Sequence, residues 1–335
     1  MAGEGAPLRL TAPAEALARL LALLPGPVAP VVLPVAQALG RVLAAPLAAP
    51  GPVPAAPMAL REGWAVAAAD TLGAGPYVPV PLPSAPLRVA AGDPLPPGAD
   101  AVLPPFALVE DGPFAQATEP VAPGEGARLS GEDLAAGAAI RAAGERLGPR
   151  DLPALAACGI AEVAVRLPRL GWLGPEPLHP LLAALVAAEG GALHHGGEGD
   201  LLLCNAADRL LVQGLGARPG MAVGLGLRDG RPALVLPPLA EEALAAWYLL
   251  GRPALRHLAG ALPPPPIRAT LARKVASAVG LLEILPVRLL PSGLAEPLAT
   301  GALPAGALAA ADALLLVPPG VEGYEAGNAV ELEPL

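Results

Sequence analysis

Three short segments carry residues whose types and spacing could do chemistry. The first is Arg61-Glu62-Gly63-Trp64-Ala65-Val66, and the second is Gly131-Glu132-Asp133, which follows Pro123-Gly124-Glu125-Gly126-Ala127-Arg128. The third is Arg218-Pro219-Gly220, read together with the loop Leu236-Pro237-Pro238. Carboxylates set beside glycine turns can hold a hard cation such as Mg²⁺. Arginine at a turn can grip a phosphate or another oxyanion. Each of the three also reads as a plain solvated turn. A fourth cluster, His194-His195 with Glu198 and Asp200, is the only metal-like grouping. Adjacent histidines in an extended segment point to opposite faces, which is poor geometry for joint ligation, so a polar loop at a strand end is the simpler reading.

Other common sites are excluded. A phosphate loop needs Lys-Ser/Thr after a glycine-rich turn, and the single lysine, Lys274, has no such context. Gly214-x-Gly216 and Gly224-x-Gly226 lack a third glycine at the dinucleotide-binding offset. None of the four serines, Ser84, Ser130, Ser277 and Ser292, sits in G-x-S-x-G, and there is no C-x-x-C. The net charge of −9, without a basic cluster, argues against nucleic acid and anionic membranes as partners. Aromatic residues make up only 2%, too few for a base-stacking platform. Cys158 and Cys204 stand far apart in apolar stretches and read as reduced thiols of a cytoplasmic protein. The opening MAGEGAPLRL has no signal-peptide pattern. Prolines interrupt the uncharged runs at 20–40 and 42–60 too often for a membrane-spanning helix.

The elements that must position these residues follow from patterning. With 40 glycines and 46 prolines in 335 residues, yet 54% apolar residues, the chain reads as many short elements joined by rigid turns. Thr11, Pro13 and the leucines at 17, 20, 21 and 24 predict a helix over 11–24, and a second helix is expected over 35–43. Residues 44–57 read as an irregular Pro/Ala-rich crossing. From 78 to 118 the pattern is β, with a hairpin at Asp111-Gly112. A helix is expected over 149–158 and a strand over 161–165. Strands at 170–173, 201–204, 222–227 and 233–236 then alternate with helices at 179–189 and 239–250, which predicts a three-layer α/β domain. Pro263–Pro266 reads as a stiff linker and 267–335 as a small all-β unit.

In this order the segments resemble the molybdopterin molybdenumtransferase family, the bacterial MoeA type, whose animal counterpart is the C-terminal domain of gephyrin. Ala91-Gly92-Asp93-Pro94-Leu95-Pro96-Pro97-Gly98-Ala99-Asp100-Ala101-Val102 is similar to the family's Thr-Gly-Ala-Pro-Leu-Pro-x-Gly-Ala-Asp-Ala-Val. Residues 58–66 stand in the place of its Asn-Ser-Ala-Met-Asp-Gly-Tyr-Ala-Val. Gly131-Glu132-Asp133, Ala142-Ala143-Gly144, Arg252-Pro253-Ala254-Leu255 and Val321-Glu322-Gly323 fall in its sequence order. The resemblance implies an α/β plus β, multi-domain elongated chain. Residues 1–45 and 141–168 would form a crossing and dimerisation region, 46–140 an inserted β-rich domain, 169–262 a shortened three-layer molybdopterin-binding-like domain, and 263–335 a C-terminal β-barrel-like domain. It implies metal insertion into adenylylated molybdopterin, with molybdate as metal source and AMP released. Glu62 and Asp133 would be catalytic. Glu62, Glu132 and Asp133 would bind Mg²⁺, and Arg128, Arg218 and Gly220 would hold cofactor phosphate or oxyanion. A homodimer is implied, with a molybdopterin-pathway protein or a molybdoenzyme client as a further partner.

The departures from the family pattern fall on charge and turn chemistry. Glu62 replaces Asp and Trp64 replaces Tyr; Met58, Ala59 and Arg61 replace the preceding polar positions, and Ala91 replaces Thr. Phe106 stands at an acidic position. Lys-Pro-Gly-Lys-Pro reads Arg218-Pro219-Gly220-Met221-Ala222, and Pro-Gly-Asn-Pro-Val-Ser reads Pro237-Pro238-Leu239-Ala240-Glu241-Glu242. Proline at 238 removes a backbone donor, and Glu241 and Glu242 add repulsion where an anion must be held. The expectation is a scaffold kept better than its site: either a molybdenum cofactor biosynthesis enzyme with a degenerate active site, or a non-catalytic assembly factor or partner subunit. A metal protein built on His194, His195 and Asp200 is the third reading.

Overall fold

A computed structural model describes residues 9–111 and 114–335. They divide into two compact units: one holds the chain up to Ala45, Ala143–Leu147 and Val163–Leu335, and the other holds Pro46–Ala142 and Gly148–Glu162.

The second unit is built from short strands around a core of small side chains. Gly63–Val66 pairs antiparallel with Leu87–Val89 on one side and Ala101–Leu103 on the other. Gly63 is required where these strands meet, because a Cβ there would lie 2.2 Å from the Leu103 carbonyl oxygen. The strands Leu108–Asp111 and Phe114–Ala117 form the expected antiparallel hairpin, with Val80–Pro81 added on the far side of Phe114–Ala117. The predicted Asp111-Gly112 turn runs into residues outside those described. Val66, Leu82, Leu103, Ala107, Ala115 and Val121 form the core between these layers. Met58–Ala59 pairs with Ala127–Arg128, which fixes the approach to Gly131.

In the first unit, the helix Pro13–Leu23 buries Ala16 and Leu20 against the main core. The expected helix over 35–43 is corrected: it stops at Ala38. Gly40 turns the chain with a φ of +77°, and Val42–Leu43 become a strand paired with Val165 and Arg166. The Ala192–His195, Arg169–Leu173, Leu201–Cys204 and Arg231–Val235 strands lie side by side in that order and run parallel. Gly224–Arg228 and Arg209–Val212 extend the sheet antiparallel. Leu201–Cys204 is buried at every position, which explains its unbroken apolar run. The helix His179–Ala188 connects Arg169–Leu173 to Ala192–His195.

The helix expected over 239–250 is longer in the structure. Ala240–Ala246 runs through a π-turn at Trp247–Gly251 into Arg252–Ala259. The wide turn absorbs the missing N–H of Pro253, so a proline that reads as a stop is carried inside a continuous helical path. In the C-terminal region Ile267–Leu271, Leu282–Leu289, Leu294–Pro297, Ala313–Val317 and Ala329–Pro334 close into a five-stranded barrel through pairing of Leu282–Leu289 with Ala313–Val317. The all-β expectation is corrected by one short helix, Ala305–Ala309. No helix among the described residues is long and apolar enough to cross a membrane.

Candidate functional site

In the second unit the expected site carboxylates all have intramolecular partners. Glu62 lies at the entry to the Gly63–Val66 strand, and its Oε1 accepts a hydrogen bond from Arg88 Nη2 at 2.6 Å. Arg88 reaches this position because it is the cross-strand neighbour of Trp64, and its guanidinium lies 5.9 Å from that ring. Trp64 Nε1 in turn donates to the Pro105 carbonyl. Asp133 Oδ2 accepts from Arg128 Nη1 at 3.2 Å, so the structure brings these two expected site residues together. Glu132 stands beside them, but its Oε2 accepts the Leu129 N–H at 2.7 Å and closes the turn. Gly131, with a φ of +75°, makes that turn.

Sequence reasoning missed Glu125 and Arg61 as a pair. Arg61 Nη2 donates to the Val102 carbonyl and to Glu125 Oε1. The Ala122 N–H and then Arg61 hold the Glu125 carboxyl below its usual range. The signal was present in the Pro123-Gly124-Glu125-Gly126 turn. A Cβ at Gly126 would sit 2.5 Å from Arg61 Nε, so this glycine leaves room for the guanidinium.

In the first unit, Arg218 is held from two sides. Ala217–Arg218 pairs parallel with Leu282–Glu283, and the guanidinium binds Glu283, whose side chain is 0% exposed. Gly301 packs against the same guanidinium so closely that a Cβ would come within 2.5 Å of Nε. Gly220 takes a φ of +137° and its carbonyl accepts from Leu215 and Val223. Glu242 Oε2 accepts the Ala222 N–H at 3.2 Å, and Glu241 Oε2 accepts the Leu303 N–H at 3.3 Å. One acidic side chain, Glu242, is therefore tied to the turn that follows Arg218, while Glu241 beside it holds Leu303.

The parallel sheet reverses its strand order at Arg169–Leu173, and the carboxyl ends of such strands are where open α/β sheets bind ligands. Here the Trp172 ring lies over Gly174, close enough that a Cβ on Gly174 would meet it at 2.8 Å. The edge of that indole meets His179, which stacks on His195 with ring centroids 4.0 Å apart. His195 Nδ1 lies 3.9 Å from Glu176 Oε1. His179 escaped notice because it opens an otherwise apolar helix. His194 is exposed at the end of its strand, and Asp200 Oδ2 accepts the Arg169 N–H, closing the intervening loop onto the sheet. Among the described residues no group of three His, Cys, Asp or Glu could hold a metal ion. That overturns the third reading at His194, His195 and Asp200. Glu62, Glu132 and Asp133 each have a carboxylate oxygen engaged, by Arg88, the Leu129 N–H and Arg128 in turn, and as placed they form no group of three that would fit Mg²⁺.

A second cationic centre lies deeper in this unit. Arg146, Arg252 and Arg256 converge on Glu189, at 2.7, 2.7 and 2.9 Å. Burial alone would raise the Glu189 carboxyl, but Arg256 and Arg252 outweigh it and hold it below its ordinary value.

Comparison with known proteins places the chain in a family. A family model for the MoeA N-terminal region, domains I and II, matches residues 11–159, and one for the MoeA C-terminal region, domain IV, matches 268–335. The chain belongs to the MoeA family. A curated relative, molybdopterin molybdenumtransferase 2 of Mycobacterium tuberculosis, is 28% identical over 289 residues, covering 64% of this chain and 71% of that protein. The crystal structure of a MoeA protein from Pyrococcus horikoshii shares the fold at a TM-score of 0.75 and 24% identity, covering 98% of this chain and 100% of that one. A molybdenum cofactor biosynthesis protein from Pyrococcus furiosus aligns at 0.65, with 24% identity, over 97% of this chain and 99% of that one. These likenesses bear out the α/β plus β MoeA architecture expected from the sequence.

Proposed function

We propose that this MoeA-family chain acts in molybdenum cofactor biosynthesis on a molybdopterin substrate, and that its metal-inserting site is degenerate. The observation that carries this reading is the commitment of Arg218 to the buried Glu283 carboxylate. The Arg218–Glu283 pair carries no net charge to offer a phosphate or molybdate, and drawing the arginine away would strand a buried anion. Glu242, bonded to the turn after Arg218, and the filled strand end at Trp172 add to the support. The pairs Glu62–Arg88 and Asp133–Arg128 point the same way with less weight. Both are solvent-exposed, and such pairs are worth only about 0–1 kcal/mol.

The same reading has the chain work in the cytoplasm as a homodimer through the region 1–45 and 141–168. Val31 and Val32, exposed on the edge strand Pro30–Pro34, support that part of it.

The test is to mix the purified chain with adenylylated molybdopterin, Mg²⁺ and molybdate, following AMP release and, separately, molybdopterin binding. Binding without AMP release is the expected result. Release that is lost in Glu62→Gln or Asp133→Asn would show an intact site and overturn the degenerate reading. Failure to bind molybdopterin at all would overturn the cofactor role.

A further inference from the structure

A cavity of about 480 Å³ lies within the first unit, where the helix Pro13–Leu23 and the helical path through Tyr248 and Arg256 meet the C-terminal barrel. Leu17, Leu249, Leu282, Leu314 and Leu316 give it apolar walls. That size and that kind of lining are those of a small-molecule site. Arg252 and Arg256, one helical turn apart, both face it. Arg252 is only 7% exposed, and its guanidinium lies 5.7 Å from the ring of Tyr248, another lining residue.

The two guanidinium groups are incompletely used. Arg252 gives Nε to Glu189 and Nη1 to the Pro334 carbonyl, and Arg256 gives Nε and Nη2 to Glu189. Arg252 Nη2 and Arg256 Nη1 have no hydrogen-bond partner among the described residues, and neither is sealed from solvent. The charge is unbalanced as well. Arg146 joins them on the same Glu189 carboxylate, and Glu333 also lines the cavity. With histidine uncharged at pH 7, three guanidinium groups stand against two carboxylates, and one positive charge is left over. Arg218 and Glu283, by contrast, cancel one for one.

We propose that this cavity binds a small amphipathic monocarboxylate, its carboxylate held by Arg252 and Arg256 and its aliphatic or aromatic body lying against the leucines. A carboxylate accepts charge-assisted hydrogen bonds from guanidinium N–H groups, the stronger class of such bonds. It also restores the balance of charge, whereas a phosphate monoester, close to doubly charged at neutral pH, would exceed it. A neutral or cationic apolar molecule would leave the surplus charge without a counter-ion against apolar walls.

The test titrates the purified full chain with octanoate by isothermal calorimetry, with octylamine and octyl phosphate as comparison probes. Octanoate is expected to bind saturably and one to one, octyl phosphate more weakly, and octylamine not at all. Arg256→Met keeps the apolar stem but removes the guanidinium, and should weaken octanoate by about 10-fold or more, as loss of one member of a desolvated charge pair does. Glu189 keeps Arg146 and Arg252 in that variant. Ala14→Trp is the independent variant: Ala14 is exposed on its helix and lines the cavity, so an indole there fills the space and leaves every charged group in place. It should abolish octanoate binding while molybdopterin binding stays unchanged, so this test stands or falls apart from the proposed function. Absence of saturable octanoate binding, octylamine bound as tightly, octyl phosphate bound more tightly, or octanoate affinity unmoved by both variants would overturn the proposal. So would a fall in oligomeric mass in Ala14→Trp, which would show a second copy covering the cavity.

Discussion

Arg218 and Glu283, far apart in sequence, meet across two parallel strands, with the carboxylate fully buried and one of its oxygens, Oε2, without a hydrogen-bond partner. Removing one member of such a pair costs more than removing both, because the remaining charge is left without compensation. Arg218→Ala is expected to destabilise the chain by about 3 kcal/mol, at the lower end for buried pairs since water reaches the guanidinium. The double variant Arg218→Ala, Glu283→Leu should recover most of that loss. Urea unfolding of the two single variants and the double measures the coupling; additive effects would show that the pair contributes no specific interaction.

Glu189 gives a pH dependence of known sign. Its carboxyl is held below the ordinary value of 4.5, so its contribution to stability is fully present above that pH and is lost as the pH falls through the lowered value. Glu189→Gln should lower the melting temperature at neutral pH and make the acid side of the Tm–pH profile shallower below about pH 4.5. An unchanged acid limb would mean that other carboxylates set it.

Two glycines separate close approach from conformational freedom. Gly63→Ala would drive a methyl into the Leu103 carbonyl and should cost about 2 kcal/mol or more. Gly92→Ala meets nothing within 4 Å but keeps a φ of +94°, so its cost should be only about 1 kcal/mol, from backbone strain. Thermal melts of the pair would rank them; the reverse order would contradict the placement of Gly63 between its neighbours.

The two thiols should differ in reactivity. Burial pushes the Cys204 thiol up, while Cys158 is partly exposed. Iodoacetamide applied to the folded chain should label Cys158 and spare Cys204 until denaturant is added, as mass spectrometry of peptides would show. Equal labelling of both would place the Leu201–Cys204 strand outside the core.

Local patterning made much of this fold readable. Asp229-Gly230 is a turn pair suited to positive φ, and the structure gives these residues φ of 49° and 74° between paired strands. The unbroken apolar run of Leu201–Cys204 likewise read as a strand, and the structure buries it at every position. The helix expected over 35–43 failed because Gly40 and the pairing of Val42 with Arg166, a contact over a long sequence distance, outweigh a short helical pattern. The helical path through Gly251-Arg252-Pro253 was hidden for the opposite reason: the π-turn that accommodates the proline leaves no mark in the periodicity. At the site, the acidic-glycine turns were visible, but their counter-charges were not. Arg88 reaches Glu62 only through strand pairing, and Glu283 reaches Arg218 only once the barrel has closed.

The strand that carries Arg218 also has a bearing on how the chain can be taken apart. Pro263–Pro266 looks like a natural hinge between modules, yet Ala217–Arg218, upstream of it, is stitched along Leu282–Glu283 downstream. A graft or truncation placed at the prolines would strip a staple from the barrel and bare an edge of Leu282–Leu289. Chimeras between members of this family should therefore exchange the Arg218 turn together with the C-terminal barrel, as a single heritable piece.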